Sequence, residues 1–439
     1  MNVTIGRQSP IENNFMTNEI ITTHSCCSDK IEPGTLKLHE ALGKMLDNCT
    51  EVSGFEKVAL QSATGRILGK AITSPIDVPS HTNSAVDGFA INHQDLAQNG
   101  EIQKLSVEGM IVAGKPHQKP LSRGTVLRIM TGAKMPEGAD TVIMQEHVEF
   151  KEGIILLDDR HNPGQNVRQA GEDIKKETVI LKAGKLLTPA DIGLIASLGT
   201  GEVIVKRRPR VTIFSTGDEI HSIGQQLADG GIYDSNRYTL AAALNRLNIN
   251  LIDMGIIADD KQKLLDTFSS AAENSDVIIT SGGVSVGEAD YTKEVLTELG
   301  TVDFWKVAIK PGRPVAFGKI GPATFFGLPG NPVAVMVTYY QFVLPTLQKI
   351  MGVTDALIRP TLKVRSLERI RKLPGRTEFV RGIISQNDDG DWIARSTGKQ
   401  GSGILKSMSE ANAFLVLEHD RETIEEGDTI TAQPFAGLI

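Results

Sequence analysis

Between residues 208 and 355, short apolar runs (211–214, 251–257 and 277–280) alternate with helical stretches at 237–247, 261–272 and 291–299. Strands that are apolar on both faces must be covered on both sides, and parallel strands need long crossovers. This rhythm therefore predicts a mostly parallel sheet with helices packed on it. The segment ends in a predicted apolar helix over 332–350. It is too short, and too polar at Gln341 and Gln348, to span a membrane.

The rest of the chain reads differently. Leu38, Ala41, Leu42, Met45 and Leu46 recur at helical spacing. A strand at 57–60 and a helical turn near Gly65 follow, and Pro75, Pro79 and the polar run 80–84 mark a boundary. Residues 85–166 read as β-rich, with strands at 126–130 and 141–145 around the turn Met135-Pro136-Glu137-Gly138. Strand 179–181 precedes a helix opened by Thr188 as N-cap and Pro189 at its first position. From Pro360, alternating segments at 362–365, 379–383, 392–394, 414–417 and 429–432 predict a small β-barrel or sandwich. The fold class is multidomain α/β plus β, without tandem repeats or low-complexity segments.

The 439 residues suffice for about three domains. Net charge is -7 with Lys and Arg dispersed, which excludes a general nucleic-acid binder. An acidic chain can still hold an anion through local cations and backbone N–H groups. Cys26, Cys27 and Cys49 lack zinc-site spacing, and so few thiols fit a reducing compartment. No run approaches the ~18 apolar residues of a membrane span. Residues 1–34 read as a polar tail without signal or transit character, so a cytoplasmic protein is expected.

In an open α/β sheet, ligands bind beyond the carboxyl ends of the strands. Two predicted strands end in suitable motifs: Ser215-Thr216-Gly217-Asp218-Glu219, and Ser281-Gly282-Gly283-Val284-Ser285-Val286-Gly287. Their small residues let backbone N–H groups approach an oxyanion, or simply make tight turns. Asp218, Glu219, Asp259, Glu288 and Asp290 either bring Mg²⁺ to a phosphate or, for Asp218 and Asp259, cap helices. If 305–314 is a strand, Lys306, Ala308 and Lys310 share one face at about 7 Å per step, with Arg313 nearby. That pattern is an oxyanion cradle or a solvated edge. Gly327-Leu328-Pro329-Gly330-Asn331-Pro332 forms a rigid loop that opens the last helix. Gly283-Val284-Ser285-Val286-Gly287 also matches a hydrolase nucleophile elbow, but His419 is the only downstream His and lies in the β-rich end.

Together these strings resemble the molybdopterin molybdenumtransferase family, which includes the C-terminal enzymatic domain of gephyrin. The likeness runs through Asn83-Ser84-Ala85-Val86-Asp87-Gly88-Phe89-Ala90, Arg128-Ile129-Met130-Thr131-Gly132-Ala133, Ala139-Asp140-Thr141-Val142-Ile143-Met144-Gln145-Glu146 and Gly171-Glu172-Asp173-Ile174. It continues through 215–219, 281–290, 305–312 and 328–332 in the family's order, and covers about 35–439. The resemblance implies a polar tail (1–34) and an elongated discontinuous domain (35–77 with 167–207). It also implies an inserted β-rich domain (78–166), an α/β molybdopterin-binding domain (208–355) and a C-terminal β-barrel (356–439). It implies a homodimer with a shared active site, requiring Mg²⁺, that takes adenylylated molybdopterin and molybdate and releases AMP. An upstream pterin adenylyltransferase and downstream molybdoenzymes would be its partners.

Carried over by position, Asp87 and Thr131 match functional residues of the inserted domain, acting from the neighbouring subunit. Glu219, Asp259 and Asp290 match acids of the pterin domain, with Asp259 and Asp290 assigned to Mg²⁺ and Asp173 as a further acid. Lys306, Lys310, Arg381 and Ser402 match positions for molybdate or the pterin phosphate. Thr216, Gly217, Asp218, Ser281, Gly282, Gly283 and Ser285 line the substrate, and Pro329 and Pro332 shape the loop. The chain departs from the family at His81, Thr82, Val86 and Phe89, and carries Arg313 where a lysine is usual. Two rival readings are a non-catalytic molybdopterin carrier or scaffold, and a serine hydrolase built on Ser285.

Overall fold

The computed structural model describes residues 34–96, 101–158, 160–283, 291–354 and 360–435. The predicted sites at Ser285, Glu288 and Asp290, and the cysteines at 26 and 27, lie outside the described residues. The α/β region contains strands β1 (Arg210–Thr216), β2 (Asn250–Ile257), β3 (Val277–Ser281), β4 (Gly300–Lys306), β5 (Pro314–Ile320) and β6 (Ala323–Leu328). Their order is β2-β1-β3-β6-β5-β4. The first four in that order run parallel, while β5 and β4 join antiparallel. The helices are α1 (Ser235–Leu244), α2 (Lys261–Asn274) and α3 (Tyr291–Leu299).

Strand alternation assigns the two faces. Val211, Ile213, Val277, Ile279 and Phe326 pack with Leu240 and Leu244 of α1. Phe214, Ile278 and Phe325 pack with Leu264 and Phe268 of α2 and Val295 of α3. Both faces of the sheet are therefore closed to water.

The last helix is not uniform. It runs as α4 (Pro332–Thr338), a π turn (Tyr339–Val343) and α5 (Leu344–Met351). Pro345 has no N–H to give the preceding turn, and the π turn sits immediately before it. Gln341 is buried and donates its amide to Gln433 Oε1 at 3.0 Å, which ties this turn to the C-terminal region. No helix among the described residues is long and apolar enough to cross a membrane.

Elsewhere, strand Phe55–Ala59 pairs antiparallel with Glu202–Lys206. Helix Pro189–Ser197 starts as expected, with Thr188 and Asp191 forming a reciprocal cap. Six strands between residues 88 and 157 form one sheet, with Gly88–Ile91 flanked by Thr125–Ile129 and Thr141–Met144. At the C-terminus, Thr377–Gln386 pairs with both Trp392–Ser396 and Ala413–Leu417, while Leu362–Ser366 and Thr429–Pro434 complete the ring. That ring is a closed barrel, rather than a sandwich.

One expectation fails. Lys306, Ala308 and Lys310 do not share a strand face: β4 ends at Lys306, and Ile309–Lys310 joins the barrel beside Thr377 and Glu378. Val307, Ala308 and Ile309 are all buried, because the chain crosses from one sheet to the other there.

The base of the sheet is fixed by Asp276, just before β3. Its carboxylate accepts from Arg207 Nη1 at 2.7 Å, Arg207 Nη2 at 2.8 Å and the Arg210 N–H at 2.7 Å. Burial alone would raise this carboxyl, but the Arg207 and Arg210 bonds outweigh it and hold it below the usual range. A carboxyl depressed in the folded state adds stability that is present above its unfolded pKa of about 4 and is lost as pH falls through the folded value. Asp276→Asn is expected to lower the unfolding free energy by about 2 kcal/mol at pH 7, reading low in the range for a broken buried pair because this one is partly exposed. In urea titrations across pH, that gap should narrow below about pH 4.

Candidate active site

After β1 the chain passes through α1 to β2 on one side of the sheet. It then returns through α2 to β3 on the other side. The strand order therefore reverses between β1 and β3, and their carboxyl ends border the crevice where an α/β sheet takes a ligand. Ser215 of β1 lies in register with Ser281 of β3. The glycines beyond them leave no room for side chains. A Cβ on Gly282 would stand 2.6 Å from the Thr216 carbonyl oxygen, and one on Gly283 would stand 2.6 Å from Thr292 Oγ1. Gly217, Gly282 and Gly283 all have positive φ, at 142°, 92° and 64°. The Gly282 N–H donates to the Leu328 carbonyl at 3.1 Å, so the tip of β3 is tied to the end of β6. Ser281 is buried, and neither its hydroxyl nor that of Thr280 has a partner among the described residues.

Three carboxylates flank these tips. Asp218 Oδ1 accepts the Asp259 N–H at 3.2 Å, and Glu219 folds back against Gly217. Burial first, then Asp218 and Glu219, push the Asp259 carboxyl above its ordinary value. The N-cap of α2 is Asp260, which accepts from the Lys263 N–H at 2.9 Å, so Asp259 is not the capping residue. Among the described residues, no group of three or more His, Cys, Asp or Glu side chains is arranged to hold a metal ion.

The cations come from the barrel side. Lys310 pairs with Glu378 at 3.3 Å, and Lys306 stands exposed at the end of β4. Arg381 is 1% exposed and has no carboxylate partner among the described residues. Its Nε donates to Ser407 Oγ at 3.1 Å and its Nη2 to the Gly401 carbonyl at 3.1 Å. Burial draws its pKa down to about 10, so it is still cationic at neutral pH. The neighbouring Ser402 carbonyl accepts the Val333 N–H at 3.0 Å, which docks the 401–402 turn on the start of α4 and on the loop that holds Pro329 and Pro332.

In the inserted sheet, Asp87 accepts from Thr131 Oγ1 at 2.6 Å and from the Thr131 N–H at 2.7 Å. These bonds, the hydroxyl's first, hold its carboxyl below the usual range. Among the described residues Asp87 hydrogen-bonds through its carboxylate to Thr131 alone. Phe89 is buried against Phe150, in a core that takes a phenyl ring without needing a partner for a hydroxyl. Asp173 is exposed.

Sequence reasoning passed over the segment before α1. Asp234 is its N-cap, accepts from Ser215 Oγ at 3.1 Å and the Arg237 N–H at 3.1 Å, and pairs with Arg237 Nε at 2.9 Å. The run Asp234-Ser235-Asn236 ahead of a helical stretch is the cap signal that locates it. The nucleophile-elbow reading gains nothing. Ser285 lies outside the described residues, and His419 bonds to Asp420 beside a cavity of about 500 Å³ lined by Lys37, Leu38 and Thr377.

Residues 36–199 match the family described as MoeA N-terminal region (domain I and II). Residues 212–349 match "Probable molybdopterin binding domain", and 363–435 match MoeA C-terminal region (domain IV). The chain is 44% identical to a molybdopterin molybdenumtransferase of Haemophilus influenzae, over 92% of this chain and 100% of that protein. It is 35% identical to gephyrin of Dictyostelium discoideum, over 90% of this chain and 61% of that one. The crystal structure of a molybdopterin biosynthesis moeA protein from Pyrococcus horikoshii superposes with a TM-score of 0.81 at 30% identity, over 91% of this chain and all of that one.

The tightness of the β3 tip is testable. Gly282→Ala should lower stability by about 1–2 kcal/mol in thermal or urea unfolding, since it adds left-handed backbone strain to a clash with backbone. Wild-type stability in this variant would show that the tip has room the structure denies it.

Proposed function

This chain belongs to the MoeA family of molybdopterin molybdenumtransferases, and from that membership we propose that it inserts molybdate into adenylylated molybdopterin with release of AMP. It is an enzyme of molybdenum cofactor biosynthesis. The observation that best supports the chemistry is Arg381: among the described residues this buried guanidinium bonds only to neutral oxygens, and the Gly401–Ser402 turn that holds it is docked on the start of α4. Such a cation suits an oxyanion.

Molybdate and a phosphorylated pterin repel each other, so their encounter depends on fixed positive charge. Arg381, Lys306 and Lys310 hold oxyanions, with Ser402 completing the barrel side. The small-residue tips at Thr216, Gly217, Gly282 and Gly283, with Ser281 and Ser285, receive the pterin ligand. Pro329 and Pro332 keep the facing loop rigid. Asp259 and Asp290 are the residues that would hold Mg²⁺, beside Asp218 and Glu219. All four are hard-oxygen donors of the kind Mg²⁺ takes, and the raised carboxyl of Asp259 reflects burial first and then like-charge crowding by Asp218 and Glu219, which a divalent cation would offset. Bound there, Mg²⁺ would supply positive charge against phosphate oxygens. No covalent nucleophile is required.

The reading extends to a homodimer in which Asp87 and Thr131 serve the neighbouring subunit's site. Their mutual bonding supports this, because it presents a preformed, ionised carboxylate on the inserted sheet. It also carries the division into a discontinuous domain (35–77 with 167–207) around an inserted one (78–166), supported by the pairing of Phe55–Ala59 with Glu202–Lys206. A cytoplasmic setting, an upstream pterin adenylyltransferase and downstream molybdoenzymes belong to the same proposal.

Purified chain given adenylylated molybdopterin should release AMP only when molybdate is added. Arg381→Met, which keeps the volume and removes the charge, should slow that release about hundredfold at subsaturating molybdate while leaving pterin binding intact. A wild-type chain that binds the pterin but releases no AMP would instead be a carrier.

A further inference from the structure

Asn236 is 8% exposed and is the second residue of α1, two positions after Asp234, which bonds Ser215 at the end of β1, and it reaches the loop opening α4. The cap of that helix is already made by Asp234, so the Asn236 side chain is not needed for it. Its Nδ2 donates to the Gly330 carbonyl at 2.7 Å. A carbonyl can only accept, so the nitrogen must face Gly330 and the orientation of the amide is settled. The atom left over is Oδ1. It is buried and has no hydrogen-bond partner among the described residues, like the hydroxyls of Thr280 and Ser281 at the tip of β3.

Unpartnered buried acceptors are rare because each forfeits about 1–3 kcal/mol of hydration. By strand alternation Ser281 points to the α1 face and Thr280 to the other, so Ser281 Oγ and Asn236 Oδ1 lie on one face at the carboxyl ends of parallel strands, where a ligand can restore them. The hydroxyls can turn to donate or accept, but an amide oxygen accepts only. Its partner must carry a hydrogen. Molybdate and the pyrophosphate oxygens of the adenylylated substrate present only lone pairs at neutral pH, so those parts cannot serve. The pterin ring can, because its amino group and ring N–H groups are donors.

We infer that Asn236 reads the pterin: held by Gly330, its Oδ1 accepts an N–H of the bound ring and makes this position specific for the heterocycle rather than for the phosphate. The inference rests on the pterin reading of the site given above. It also gives the Nδ2–Gly330 bond a purpose, since the loop carrying Pro329 and Pro332 then sets the angle of the reading group.

The test uses the full-length chain and two probes, 6-hydroxymethylpterin phosphate and inorganic phosphate, titrated into wild type, Asn236→Ala and Asn236→Asp. Asn236→Ala should weaken the pterin phosphate about tenfold, the value of one neutral hydrogen bond, and leave inorganic phosphate within about twofold. Asn236→Asp loses the donor to Gly330 but keeps an acceptor, and should bind the pterin phosphate more tightly than Asn236→Ala. Equal weakening of both probes would overturn the inference, because Asn236 would then only brace the loop. So would unchanged pterin affinity, or Asp behaving like Ala. Failure of the wild type itself to bind the pterin phosphate would strike the pterin reading of the site, and this inference with it.

Discussion

The reversal of strand order between β1 and β3 governs everything else in this molecule. The connection leaving β1 goes one way, towards β2, and the connection leaving β3 goes the other, towards β4, so neither crosses the tips between them. Because the direction changes, α1 covers one face of the sheet and α2 the other, and both faces can be apolar. The tips then have to be made of residues small enough to let a ligand come close to the backbone. Thr216-Gly217 and Ser281-Gly282-Gly283 meet that demand so tightly that a methyl group at Gly282 would strike the Thr216 carbonyl. At the opposite end of the same strands, Asp276 binds Arg207 and the Arg210 backbone, and so holds β1 and β3 at a fixed spacing while their far ends are left open.

Charge is distributed to match. The chain is acidic overall at -7, yet the acids and the strongest buried cation sit on different structural elements. Asp218, Glu219 and Asp259 crowd the strand tips, while Arg381 belongs to the barrel and, among the described residues, bonds only to neutral oxygens. Paired directly, these groups would neutralise each other and leave nothing for a substrate. Kept apart, each favours a different piece: the arginine an oxyanion, the carboxylates a divalent cation. Arg381 is also held on two sides, by Ser407 and Gly401, so little reorganisation is needed when charge arrives.

Much of the architecture was legible because burial on both faces of a sheet writes itself as continuous apolar runs; β1, β2 and β3 and their helices lie where those runs predict. Three things were not legible, for physical reasons. The segment 305–310 alternates like a strand, but periodicity cannot show that a chain leaves one sheet at Lys306 and enters another at Ile309. Asp259 and Asp260 are adjacent acids, and which one caps α2 depends on backbone angles rather than residue type. Asn236 is an ordinary residue early in a helix, and its meaning appears only through Gly330, 94 positions further along. Asp87 and Thr131 were singled out only through likeness to a family, and nothing in the sequence foretold that they bond to each other across 44 residues.

The two halves of the site could still be useless if they moved independently. They do not have independent cores. Ala41 and Met45 of the helix Leu38–Asn48, Val211 and Val277 of the sheet, Val333 and Phe342 of the last helix, and Phe379 and Phe414 of the barrel form one continuous buried cluster. Gln341 adds a buried hydrogen bond across the same boundary, and the Ser402 carbonyl takes an N–H from the first turn of α4. The barrel's arginine and the sheet's glycine tips are therefore parts of one packed body. Packed interiors resist small displacements, so two mutually repelling anions can be held at a set separation by groups already in place. The orphaned acceptors at the tips are affordable on the same ground. A rigid surround can keep Asn236 and Ser281 dry and unpaired until a ligand arrives, whereas a looser one would collapse around them or admit water.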